Sequence, residues 1–258
     1  MKSRFLRTIA CSFFLISVGP LVFAQTPTPA PEYFYNDPVN INTDPSYVPG
    51  DYPMDDTNDA RTYYQIKKED ITKAVDPLAG SAAFILDLGE ISFKAIKNES
   101  AEVMGYFRNY FGVVQYTDKG FEKIRVIIDI NSLDTAVPGR NNRILKLFFQ
   151  SMKPELGTSE VVFDSFDGQG KSLAEFSDGQ EHPLKAVGKV ILNGTSQKIS
   201  AILNVTKNND AWKIETQEPI SLLISDFNFG DRPYVLMKEC NHKAIGNHVT
   251  VKATMYFK

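Results

Sequence analysis

The sequence predicts an all-β fold, an antiparallel β-barrel of about eight strands with a short helix near Arg140 to Gln150. Three observations carry this expectation. Apolar and polar residues alternate with period two from residue 82 to the C-terminus, turn dipeptides separate the alternating runs, and one stretch alone changes to helical spacing.

The elements follow in chain order. Lys2, Arg4 and Arg7 form a basic head, an apolar run extends from Thr8 to Leu21, and Val22-Phe23-Ala24 ends it with a cleavable small residue. Residues 1–24 therefore read as a signal peptide cut before Gln25, which implies secretion. The apolar run is shorter than the ~20 residues that cross a bilayer, so no stable transmembrane anchor is expected. Cleavage removes Cys11 and leaves Cys240 as the sole cysteine of the mature chain, so no internal disulfide can form.

From Gln25 to Asp59, seven prolines are spaced among seven acidic residues and there is no Lys or Arg. Proline removes backbone donors and like charges repel, which predicts an extended tether whose Tyr33, Phe34, Tyr35, Tyr47 and Tyr52 can dock on a surface. Residues 62–75 predict a short helix or strand. The segment 25–81 is thus a Pro-rich, acidic tether with a pre-domain piece, and residues 82–258 form the barrel domain.

Within the domain, Ile91, Phe93 and Ala95 oppose Ser92, Lys94 and Ile96, and residues 103–116 continue as a strand. Ile124, Val126, Ile128 and Ile130 then alternate with Lys123, Arg125, Ile127 and Asp129. Arg140 to Gln150 breaks the rhythm: Ile144, Leu145, Leu147, Phe148 and Phe149 cluster at helical spacing ahead of Pro154, which predicts a helix outside or across the barrel mouth. Residues 161–166 form the next strand. Leu184 to Leu192 and Ile199 to Val205 flank Asn193-Gly194 and read as a hairpin, and Asn208-Asn209-Asp210 supplies another turn. Trp212 to Leu223 reads as one strand bent at Glu218-Pro219, and Val249 to Phe257 closes the set.

Composition excludes one class of partner. A net charge of -3 and a pI near 5.7 leave no concentrated basic surface for nucleic acid. Catalytic chemistry finds little support either: there is no Gly-x-Ser-x-Gly elbow, and His182, His242 and His248 lack an evident nucleophile partner. Cys240-Asn241-His242 with His248 offers three metal-ligand types at a spacing that matches no strong zinc site, so neither a metal nor a cofactor is expected.

The series IDINSLDT (residues 128–135), Arg140-Asn141, Phe148-Phe149, Pro154 and Val162-Phe163, followed by LNGTSQKISAIL (192–203) and SDFNFG (225–230), is similar to the YceI-like family. Gly105-Tyr106-Phe107 and Gly112 match its Gly-x-Phe strand. The resemblance covers residues 82–258 and implies a lipocalin-like barrel whose apolar interior binds a polyisoprenoid or other long-chain amphiphilic lipid in the periplasm, without catalysis. Two departures from the family pattern bear on the polar end of such a site. Lys97 stands where the family commonly has a histidine, and Asp226 and Asn228 replace the arginine and aspartate of its Arg-x-Asp-Phe-Gly segment.

A linear isoprenoid exposes hydrocarbon along most of its length, so its site must be a long dry channel with few polar groups. Phe93, Phe107, Phe148, Phe149, Phe163 and Phe229 are the candidate wall residues, and Gly105, with Gly112, is a place where a missing side chain admits a bend or a ligand. The competing expectation is a solid barrel whose aromatics fill a core and whose tether binds a partner. Both arrangements are compatible with a homodimer.

Overall fold

The computed structural model of the protein describes residues 33–35, 82–167 and 176–258. The expected signal segment, most of the tether and the 62–75 segment lie outside these residues. The elements are β1 (Tyr33–Tyr35), β2 (Ala82–Lys97), β3 (Ala101–Phe107), β4 (Tyr110–Thr117), β5 (Gly120–Asp129), β6 (Leu133–Asp134) and the helix α1 (Pro138–Arg143). A π-helical turn, Ile144–Phe149, extends α1, and then come β7 (Thr158–Asp167), β8 (Glu181–Leu192), β9 (Thr195–Asn208), β10 (Ala211–Thr216), β11 (Ile220–Leu223), α2 (Arg232–Glu239) and β12 (Ala244–Phe257).

Eight antiparallel strands close a ring in the order β2, β4, β5, β7, β8, β9, β10, β12, and β12 returns to β2. Closure leaves no sheet edge in the ring, which satisfies the backbone and creates an inside. Both long strands serve two neighbours. The first half of β2 pairs with β4 and its second half with β3, while β12 pairs along one side with β2 and along the other successively with β1, β11 and β10.

The turns obey the local chemistry of their sequences. Asn193 and Gly194 both take positive φ, 52° and 71°, the conformation that joins β8 to β9 in a tight hairpin. Asn209, at φ 54°, does the same between β9 and β10. Gly188 permits a close approach between β7 and β8, because a Cβ there would lie 1.9 Å from the Val162 carbonyl oxygen.

Two expectations need correction. Residues 103–116 are two strands, since Arg108-Asn109 turns the chain and its backbone bonds reach Ser132 and Asp129. The 212–223 run is also two strands, as residues 217–219 interrupt it, consistent with a proline that has no ladder donor. The helix α2 was not legible in the alternation pattern. Its signal was Asp231 followed by Pro233 in the first turn, a usual helix opening.

Side chains fill one end of the barrel. Phe121, Phe166, Phe176 and Trp212 meet in tilted and edge-to-face contacts with ring centroids 5.3–6.4 Å apart. The other end is covered by α1, the π-turn and α2.

Candidate ligand-binding cavity

The covered end is hollow. A cavity of about 230 Å³ lies between the inner faces of the strands and the two helical segments. Its walls are almost wholly hydrocarbon: Ile91 and Phe93 from β2, Val161 from β7, Val190 from β8 and Val251 from β12 are representative. An apolar cavity of ~150 Å³ already stays dry and accepts a ring-sized hydrocarbon, so this larger hollow favours an apolar guest over water.

The roof is built from the segment that breaks the strand pattern. Pro138 opens α1, Gln150 ends the π-turn in a left-handed conformation, and Ile144, Phe148 and Phe149 project onto the cavity. Phe148 stacks on Phe229 at 4.3 Å between centroids, with Phe149 edge-on to Phe148 at 5.0 Å. Phe229 comes from the loop before α2, and the Arg232 guanidinium fixes that loop by donating to the Asn193 side-chain oxygen at 2.9 Å. A buried polar clasp holds α1 itself. Asn141 Oδ1 accepts from the Thr135 backbone N–H at 2.9 Å, and Arg140 Nε donates to Thr135 Oγ1 at 2.8 Å.

Five of the seven residues expected at the site, Phe93, Phe107, Phe148, Phe149 and Phe229, converge on this cavity. Phe163 and Gly105 do not line it. Phe163, only 5% exposed, packs into the main core instead. Gly105 acts one step back: a Cβ there would lie 2.4 Å from Phe93 Cζ, so the absent side chain makes room for the Phe93 ring, which in turn lines the wall.

Lys97, the departure noted at the polar end of the site, borders the cavity, and sequence reasoning missed that Arg140, Cys240 and His242 border it too, although β2, α1 and the end of α2 are far apart in the chain. The end of β2 reaches the loop after α2 through Asn98, whose N–H donates to Ala244 O at 2.9 Å and whose side-chain oxygen accepts from Lys243 N–H at 2.7 Å. Burial pushes the Cys240 thiol above its ordinary range, against the opposing charges of Arg143 and Lys97. Burial, then the charges of Lys97 and Arg143, push His242 below its ordinary value. His248 is elsewhere, with Nδ1 3.4 Å from the Ser221 hydroxyl, and among the described residues no three metal-ligating side chains of His, Cys, Asp or Glu converge. No helix among the described residues is long and apolar enough to cross a membrane.

A family model described as the YceI-like domain matches residues 74–257. Among solved structures, the chain resembles a polyisoprenoid-binding domain from Saccharophagus degradans implicated in plant cell wall breakdown, at 17% identity and a TM-score of 0.59, covering 69% of this chain and 98% of that one. It also resembles BcnA of Burkholderia cenocepacia, at 15% identity and a TM-score of 0.52, covering 66% of this chain and 98% of that one. At these identities the likeness is one of fold. No protein of curated function matches the chain in sequence.

Proposed function

The chain belongs to the YceI-like domain family, and from that premise we propose that it is a periplasmic carrier that encloses the hydrocarbon chain of a polyisoprenoid or similar amphiphilic lipid and does not transform it. The observation that carries this reading is the apolar hollow of about 230 Å³ at the helix-covered end of the barrel. A barrel with a structural purpose alone gains by filling that space, because each void forfeits packing. Here the aromatics Phe148, Phe149 and Phe229 stack into a roof rather than into the space below.

The energetics suit a hydrocarbon guest. Each buried methylene contributes ~0.8 kcal/mol, so a few isoprene units offset the cost of immobilising the ligand. The solved Saccharophagus degradans relative is itself described as polyisoprenoid-binding, which supports the ligand class. The basic, apolar and small-residue succession over residues 1–24 supports delivery to the periplasm.

The test is direct. Full-length protein purified from a bacterial host should yield a prenyl lipid when extracted with organic solvent and analysed by mass spectrometry, and the stripped protein should rebind an added polyprenol. An extract without lipid, together with no binding of added polyprenol, overturns the reading.

A further inference from the structure

The hydrogen-bond ladder around the barrel is interrupted on one side. β9 pairs with β10 from Asn208 as far as Leu203, and the Gln217 N–H then donates to Ile202 O at 2.9 Å. Beyond that bond the chain passes through Glu218-Pro219 into β11, which pairs with β12 alone. The rest of β9, residues 195–201, pairs with β8 alone. Among the described residues no ladder joins β11 to β9, and Pro219 has no N–H with which to restart one.

Side chains, not backbone, close the far end of this seam. Gln197 Nε2 donates to Asp226 O at 2.6 Å, and Asn193 Nδ2 donates to Phe227 O at 2.8 Å. Between those stitches and the Gln217 bond lies a groove of about 380 Å³, lined by Lys198, Ile199, Ser200 and Ala201 on one side and by Pro219 and Ile220 on the other. Ile202, 45% exposed, adds an apolar side chain to it. The groove and the hollow share a wall. Ile199 and Ile220 border both, so the same two side chains face the outer groove and the ligand space. Parting them breaks no ladder bond, whereas opening the barrel between paired strands breaks a run of them.

The other approaches are obstructed. Phe121, Phe166, Phe176 and Trp212 fill one end of the barrel, and the helical segments roof the other. The wall also divides where β2 leaves β4 for β3. There Leu133, paired with Phe107, packs with Ile130 and Leu145, each at most 1% exposed, so that division is filled.

We propose that the seam is the guest's port: the hydrocarbon chain enters the hollow sideways between β9 and β11, and Ile199 and Ile220 are its gate. This rests on the reading that the hollow takes a lipid chain. The groove offers the apolar surfaces of Ile202, Pro219 and Ile220 beside the polar Lys198 and Ser200, a graded path from water to hydrocarbon.

Stopped-flow binding of retinol, a neutral isoprenoid alcohol whose fluorescence rises in an apolar site, tests the port. Ser200→Cys, in full-length protein carrying Cys11→Ser and Cys240→Ser, is labelled with a bulky maleimide, and Met104→Cys, exposed on β3, is labelled in the same background as the control. The groove label should slow association at least tenfold relative to the control and slow dissociation by the same factor, because the affinity of an enclosed guest does not depend on its route. Ile220→Ala should speed association severalfold, which a mere loss of wall contact would not do. Equal association rates with the two labels overturn the port and leave the carrier reading intact. So does a groove label that weakens Kd while association is unchanged. If the unlabelled protein binds neither retinol nor an added polyprenol, the carrier reading falls and the port falls with it.

Discussion

Gly105→Ala separates the shape of the cavity from the stability of the barrel. The new Cβ would lie 2.4 Å from Phe93 Cζ, 2.6 Å from Cε1 and 3.0 Å from Thr135 Cγ2. Carbon atoms pack best at ~3.5–4.0 Å, so the ring must retreat by roughly 1 to 1.5 Å. Thr135 is held by Asn141 and Arg140 and yields little, whereas the ring borders empty space and can swing into the cavity. Strand Gly→Ala favours the fold by ~0.5–1 kcal/mol through backbone entropy, and overpacking opposes it by ~1–3 kcal/mol. The net loss is then about 1 kcal/mol, a fall in Tm of roughly 2–4 °C. Binding should suffer more. Losing room for one or two ligand methylenes costs about 0.8–1.6 kcal/mol, a roughly four- to fifteen-fold rise in Kd. Thermal melts and titration with a neutral polyprenol read the two effects separately. Unchanged affinity, in a variant whose structure shows the Phe93 ring displaced, would refute the placement of the ligand chain against that wall.

Other perturbations probe the roof and the rim. Phe149→Asp places a charge on a half-buried roof position, so polyprenol binding should fall at least tenfold while the amount of secreted protein stays near that of the wild type, as measured by binding titration and immunoblotting of the periplasmic fraction. Asn141→Ala leaves the buried Thr135 N–H without its acceptor, and unfolding in urea should show a loss of about 1–3 kcal/mol. The Cys240 thiol, pushed up by burial, should react with iodoacetamide more slowly than a free cysteine at pH 8, with the rate still rising with pH above the ordinary thiol range. Because Cys240 borders the cavity, bound lipid should slow that reaction further, and an equal rate with and without lipid would place the guest elsewhere.

The barrel was legible because its strands are read two residues at a time. Ile124 to Ile130 alternates almost cleanly, and the structure pairs Ile124 to Ile128 with β4 and β7 in unbroken register before a 3-10 turn takes up Ile130. Asn193-Gly194 specifies its own hairpin, since positive φ at two successive positions is a property of the residues there. Clustered Ile144, Phe148 and Phe149 marked the helical roof for the same reason: helical spacing is local. Where a boundary depended on remote partners, local pattern failed. The apolar continuity of residues 103–116 concealed the turn at Arg108-Asn109, which is held by backbone bonds to residues 129 and 132.

The site divides along the same line. Large aromatics on strands and in the roof segment were identifiable as candidates, because burial is expected of them wherever they fall. Whether a phenylalanine borders a void or fills one depends on neighbours far along the chain. Phe163 and Phe93 look alike in sequence, yet one packs against the core and the other lines the hollow. The sequence by itself therefore determined the period, the turns and the helical interruption, all of which are set by residues within a few positions of one another. Only the tertiary structure decided which inward side chains leave space and that Lys97 and His242, near the Asn98–Lys243 hydrogen bond that spans 145 positions of the chain, both border the cavity. Ring closure of β12 onto β2 is the physical reason, since it brings the two ends of the domain together and no local preference records that contact.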